Sequence, residues 1–115
     1  MSVDRGTIVY ADDPFNPDGT GRPWVVINTP AMPYSDTQHV VLTLTSKTWH
    51  DDRIPIDDDD LAAGSLPETS SILPWAVAAI EADDIDETLG RVYESVVDEA
   101  TKQFVSYLGL DPGVR

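Results

Sequence analysis

An arginine at the head of one hydrophobic run and two hydroxyls at the foot of another are the residues whose types suit chemistry on a phosphate. The arginine is Arg22, in Gly21-Arg22-Pro23-Trp24-Val25-Val26-Ile27-Asn28. The hydroxyls are Thr45 and Ser46, closing Val40-Val41-Leu42-Thr43-Leu44-Thr45-Ser46. A guanidinium is a permanently charged, planar fork of donors that matches phosphate oxygens. A hydroxyl adds one directional donor. Pro23 fixes its own φ and pushes Arg22 toward an extended backbone, so the guanidinium starts from a stiff junction. If the two runs lie close in the fold, these groups converge on one phosphate. The bland alternative is that Arg22 pairs with a loop acid such as Asp18 and that Thr43 and Thr45 are ordinary strand residues.

Other candidates carry less. His39 stands at a strand entrance and His50 in a loop, and no spacing pairs them for acid–base work, so both read as structural. Asp57 to Asp60 is a run of acids before Leu61-Ala62-Ala63-Gly64. It reads as a short solvated helical turn, its acids favoured by the positive end of the helix. A calcium loop alternates ligands with other residues and needs a Gly at the sixth place, which consecutive Asp do not supply. No metal and no other cofactor is expected.

The elements that must position Arg22 and Thr45 follow from hydrophobic pattern. Gly6-Thr7-Ile8-Val9-Tyr10-Ala11 reads as a first strand, with Gly6 suited to a positive φ. Asp12 to Gly21 is a turn-rich loop around Asn16-Pro17-Asp18-Gly19, long enough to be a binding loop. Trp24 to Thr29 is the second strand, Pro30 to Gln38 a loop, and His39 to Ser46 the third strand. Arg53-Ile54-Pro55-Ile56 reads as an edge strand, since proline is tolerated at edges. Ser71 to Ile80 is a strand bent at Pro74. Ile85 to Val92 is a connector with a short strand around Gly90-Arg91-Val92. Tyr93, Val96, Val97, Ala100, Phe104 and Leu108 follow helical three-four spacing, with Gly109 as C-cap and Pro112 as stop. The fold class is mainly β with one helix: a small, curved antiparallel sheet or barrel closed by a C-terminal helix.

The chain has 115 residues, expected to form a single domain over 1–115 with one core. It has no Cys, so no disulfide framework and no thiolate site. No apolar run is long enough to span a membrane, and Met1-Ser2-Val3-Asp4-Arg5 is not a signal peptide, so a cytoplasmic location is expected. Twenty-one acids stand against seven bases, a formal net charge of −14. Such charge suits either a basic partner or life in molar salt, where carboxylates hold water and screening removes their repulsion. Lys is scarce and the acids run along the whole chain, which favours salt adaptation. Between Gly19 and Trp49 the only acid is Asp36, against Arg22 and Lys47. The candidate site is spared acidification, as buried strands also are.

Arg5-Gly6 before the first strand, Gly21-Arg22-Pro23 leading into Val25-Val26-Ile27-Asn28, and Val41-Leu42-Thr43-Leu44-Thr45-Ser46 resemble the PemK/MazF family of toxin endoribonucleases. So do Leu89-Gly90-Arg91-Val92, the helix, and Leu108-Gly109-Leu110. The chain looks like a salt-adapted, haloarchaeal-like member. The resemblance implies an SH3-like barrel, a homodimer, and metal-independent cleavage of single-stranded RNA. It also implies a cognate antitoxin that blocks the RNA groove. By position, Arg22 and Thr45 match the family's catalytic pair. Arg5, Thr20, Gly21, Trp24, Ser46 and Trp75 are then expected to bind RNA, with Phe15, Trp24 or Trp75 as stacking platforms for bases. Trp49 is assigned to a dimer interface.

The chain departs from the family where members carry polar, Gln-Ile-Arg-Thr-like residues after Ser-x-Ile-Leu. Here the place reads Trp75-Ala76-Val77-Ala78-Ala79-Ile80. Family toxins are also commonly more basic. A rival function is therefore a catalytically silent SH3-like module that binds peptide or nucleic acid. A further rival is an acidic mimic of nucleic acid that binds a basic protein.

Overall fold

The computed structural model describes residues 3–16 and 19–111. Pro17 and Asp18, at the centre of the expected loop turn, and Pro112 lie outside the described residues. Seven strands and one helix follow in order: β1 (Thr7–Ala11), β2 (Arg22–Val26), β3 (Gln38–Thr45), β4 (Ile54–Ile56), β5 (Leu61–Gly64), β6 (Ser70–Glu81), β7 (Ile85–Val92) and α1 (Glu94–Tyr107). They form one sheet in the order β4-β6-β3-β2-β1-β7-β5, with every neighbouring pair antiparallel. The sheet curls into a nearly closed barrel carrying one C-terminal helix.

Side chains alternate across a strand, so an unbroken apolar run must bury both faces. That happens here. Ile8, Val25, Leu42, Leu44, Ile56 and Ile72 form one cluster, into which α1 sets Val97 and Ala100. Val9, Ala11, Trp24, Val26, Val41 and Ala78 form a second cluster on the other face. The single core expected from composition is thus divided by the sheet. Gly6, just before β1, has φ 93 and donates its N–H to the Val26 carbonyl. The positive φ expected there is present.

Two strands lie outside the expected pattern. β7 spans Ile85–Val92 as a whole, where a connector with a short strand was expected. Its acids, Asp86 and Glu87, are exposed on a strand that β1 pairs along its length. After a short 3-10 turn over Asp58–Asp60, Leu61–Gly64 becomes β5 at the sheet edge. Ala-Ala-Gly has little strand propensity, and the ladder to β7 supplies the order. The bend at Pro74 is borne out. Leu42 pairs with Val77 but Thr43 with Leu73, so Pro74, Trp75 and Ala76 leave the ladder as a bulge. Thr43 Oγ1 donates to the Ala76 carbonyl at 2.9 Å and holds that bulge to β3.

Candidate active site

Arg22 opens β2 and Thr45 closes β3. These strands pair antiparallel with Trp24 opposite Thr43. The ladder ends at that pair; Arg22 lies two residues beyond Trp24 and Thr45 two beyond Thr43, so each keeps the face of its paired neighbour. Thr45 in turn pairs with Ser71 of β6. On the other side Arg22 pairs with Ala11, the end of β1. Gly21 must be glycine for this: a Cβ there would stand 2.6 Å from the Ala11 carbonyl oxygen.

The guanidinium is held from several sides. Nη2 donates to the Leu44 carbonyl at 3.1 Å, next to Thr45. Nη1 lies 3.5 Å from Asp13 Oδ2. The group also sits 5.8 Å from the centre of the Trp24 ring. Nε is buried without a hydrogen-bond partner among the described residues. The Arg22 side chain keeps 35% of its surface exposed, whereas Asp13 keeps 12%. Thr45 is 8% exposed, and its Oγ1 accepts the Lys47 N–H at 3.1 Å. That bond uses the hydroxyl as acceptor and leaves its single donor for another partner. A cation, a hydroxyl donor and a sheltered carboxylate therefore share one end of the barrel. Such a set can hold an anionic ester and stabilise charge gathering on its oxygens.

Asp13 was not singled out by sequence reasoning, which named Asp18 as a loop partner for Arg22. The available signal was Asp13-Pro14 at the start of the loop. Asx turns favour Asp, and here Oδ1 accepts the Phe15 N–H at 2.9 Å.

Compared with known families, residues 4–108 match the PemK-like, MazF-like toxins of type II toxin–antitoxin systems. The chain belongs to this family. MazF from Deinococcus radiodurans matches with a TM-score of 0.72 at 19% identity, over 96% of this chain and 99% of that one. An endoribonuclease from a mycobacterial species gives 0.73 at 16% identity, over 96% and 94% of the two chains. Another mycobacterial endoribonuclease, in complex with its cognate antitoxin, gives 0.69 at 18%, over 95% of each. At these identities the structures speak for the fold. No curated protein matches by sequence.

Not every residue expected at the RNA site of this PemK/MazF-like protein gathers there. Trp24 is fully buried and donates Nε1–H to the Ala11 carbonyl at 3.3 Å, so its ring is closed to a base. Alternation gives Trp24 the same face as Arg22, but two residues further into the strand its ring is packed within the second apolar cluster. Arg5 serves the helix instead. It pairs with Asp98 at 3.0 Å and donates to Thr101 Oγ1 and to the Ile27 carbonyl. It lines a cavity of about 550 Å³ along α1 with Asp98, Lys102 and Val105. Thr20 and Ser46 are exposed at the loop and strand ends beside Arg22 and Thr45, and Gly21 is half-buried between Thr20 and Arg22. Phe15 is exposed on the same loop as Asp13.

Trp75 stands on the β6 bulge with its ring 5.5 Å from that of His50 and 6.5 Å from that of Tyr107. His50 also meets Trp49 at 5.7 Å, and Trp49 is 70% exposed. These rings make a continuous aromatic row on the surface. His39 is buried, with Nδ1 3.3 Å from Asn28 Oδ1 and Nε2 accepting the Val3 N–H at 3.4 Å. It is a satisfied structural histidine.

Proposed function

We propose that this PemK/MazF-like toxin is an endoribonuclease that cleaves single-stranded RNA without a metal, by attack of the substrate's own 2′-hydroxyl on the adjacent phosphate. The observation that carries the reading is the hydrogen bond from Arg22 Nη2 to the Leu44 carbonyl, which holds the guanidinium beside the strand end that Thr45 closes. The nucleophile belongs to the RNA. The protein needs to stabilise the charge that builds on the non-bridging phosphate oxygens. Arg22 supplies a fixed positive fork, and the Thr45 O–H one donor. Arg22 serves first as a cation, since a guanidinium holds its proton in proteins, with acid–base work second as what the family resemblance implies.

The same reading includes an antitoxin partner and a homodimer. Support for the dimer comes from the aromatic row Trp49, His50, Trp75 and Tyr107. A connected apolar surface of that kind is unlike scattered exposed residues and suits contact with a second copy. The acidic surface, with charges on nearly every loop, supports work in concentrated salt.

A second reading has its own observation. β6 carries Trp75, Ala76, Val77, Ala78 and Ala79 where family members carry polar residues, which suits a silent module binding peptide or nucleic acid. One experiment separates the two. Mixed-sequence single-stranded RNA is incubated with folded protein in molar potassium chloride and EDTA, and wild type is compared with Arg22→Ala. Under the ribonuclease reading wild type cuts and leaves 2′,3′-cyclic phosphate ends. Arg22→Ala then loses at least about 10²–10³-fold in kcat, the usual loss when a transition-state donor is removed. Folded wild type that cuts no RNA would replace the enzyme reading with the binding module.

A further inference from the structure

Internal attack on a phosphate requires that the 2′-hydroxyl lose its proton, and the pair Arg22 and Thr45 holds no group that can take it. Arg22 is permanently protonated, and a threonine hydroxyl is no base at neutral pH. Neither histidine contacts Arg22 or Thr45. His39 is buried with both ring nitrogens engaged, and the His50 ring is packed between Trp49 and Trp75.

We propose that Asp13 is the general base that takes the proton of the attacking 2′-hydroxyl. The inference rests on the ribonuclease reading of this site. Three observations carry it. Among the described residues, Asp13 is the carboxylate in contact with Arg22, through Oδ2 at 3.5 Å. Its orientation is set by its own turn, because Oδ1 accepts the Phe15 N–H. Each carboxylate oxygen has two lone pairs, so Oδ2 can face Arg22 with one and a hydroxyl with the other. Finally, it is sheltered at 12% side-chain exposure, while most acids of this chain stand in solvent. A negative charge beside the cation that binds phosphate works against binding. Its place here is explained if the carboxylate takes part in the reaction.

The step balances as follows. The 2′-O–H bond breaks and its proton passes to Asp13 Oδ2. The 2′-oxygen forms a bond to phosphorus, and the bond from phosphorus to the 5′-oxygen breaks. The 5′-oxygen leaves with that electron pair and takes a proton from water, giving a 5′-hydroxyl and a 2′,3′-cyclic phosphate. Asp13 then returns its proton to the hydroxide left behind.

The test is the pH dependence of kcat on single-stranded RNA for wild type, Asp13→Asn, Asp13→Glu and Arg22→Ala. A base must be ionised, so wild-type kcat falls on the acid side. Asp13→Asn keeps the shape but cannot accept a proton. Its kcat is expected to drop about 10²–10⁴-fold, the usual worth of a positioned base, and its acid limb to vanish. KM is expected to stay the same or fall, because a charge repelling phosphate is gone. Asp13→Glu is expected to recover part of the rate and to keep the limb. Cleavage by Asp13→Asn at the wild-type rate or faster would overturn the proposal and leave Asp13 a counter-ion restraining Arg22. An acid limb that survives in Asp13→Asn would overturn it too. If Asp13→Asn does not fold, Asp13→Ser decides: a kcat profile identical to wild type in height and limb sinks the base. Wild type that is folded and cuts nothing removes the ribonuclease reading and the base together. Cleavage that needs Arg22 and ignores Asp13→Asn removes the base alone.

Discussion

His39 is a proton-sensitive lock on the N-terminal segment. Val3 N–H can only donate, so Nε2 must be unprotonated and the ring proton sits on Nδ1, facing Asn28 Oδ1. The same Asn28 oxygen accepts the Val40 N–H at 3.0 Å, which joins the end of β2 to β3. Burial pushes the pKa of His39 below its ordinary value. The unfolded chain therefore binds a proton at a pH where the folded chain does not. This contribution is fully present above the ordinary histidine value of about 6.5 and is lost as pH falls toward the folded pKa. Urea midpoints at pH 7.5 and 5.5 check it. Wild type should lose stability between them, and His39→Gln should lose distinctly less. Equal losses would place the acid sensitivity on other groups.

At the scale of the element, the bulge in β6 depends on one hydroxyl. Thr43 is buried, and its Oγ1 is the group that holds the Ala76 carbonyl. Thr43→Val keeps the shape and removes the donor. It should cost about 1 kcal/mol or somewhat more in a denaturant titration, the usual price of a lost hydrogen bond with a half-buried acceptor. Unchanged stability would mean that the bulge is held by packing alone. The elements also show what a sequence can carry. β1, β2, β3 and α1 were legible because β-branched runs and three-four spacing are local signals. β5 and the part of β7 before Gly90 were not, because Leu61–Gly64 and the acidic start of Ile85–Val92 become strands through partners far along the chain. Within the site, Arg22 and Thr45 stood out by type and by strand end. Trp24 was misplaced because position beside Pro23 says nothing of how deeply its ring is packed. Arg5 finds Thr101 across 96 positions and Asp98 on the same helix, a pairing that no local pattern announces.

For the whole molecule, the controlling quantity is a net charge of −14 on a body with a 13.4 Å radius of gyration. In about 0.1 M salt the screening length is about 10 Å, so carboxylates repel across much of the protein. In about 1 M salt it is about 3 Å, and only neighbours feel one another. The melting temperature should therefore rise between about 0.1 and 1 M potassium chloride, beyond which little repulsion is left to screen. Light scattering in the same molar salt should find a dimer, since screening spares contacts between aromatic rings. A melting temperature that is flat or falls with salt would assign the acids to a basic partner instead. A monomer would leave the aromatic row to another ligand.

The two edges of the sheet, β4 and β5, are consecutive in the chain and are joined only through Asp57 to Asp60. The barrel is thus sealed by a covalent seam of carboxylates. β4 carries Pro55, which offers no N–H, and β5 ends at Gly64 with φ 74, where the strand turns away. A foreign strand that approached either margin would meet a missing donor or a bend, and four negative charges at the joint. Fibre-like stacking through the rim is therefore disfavoured, and whatever docks on this protein meets it through a face.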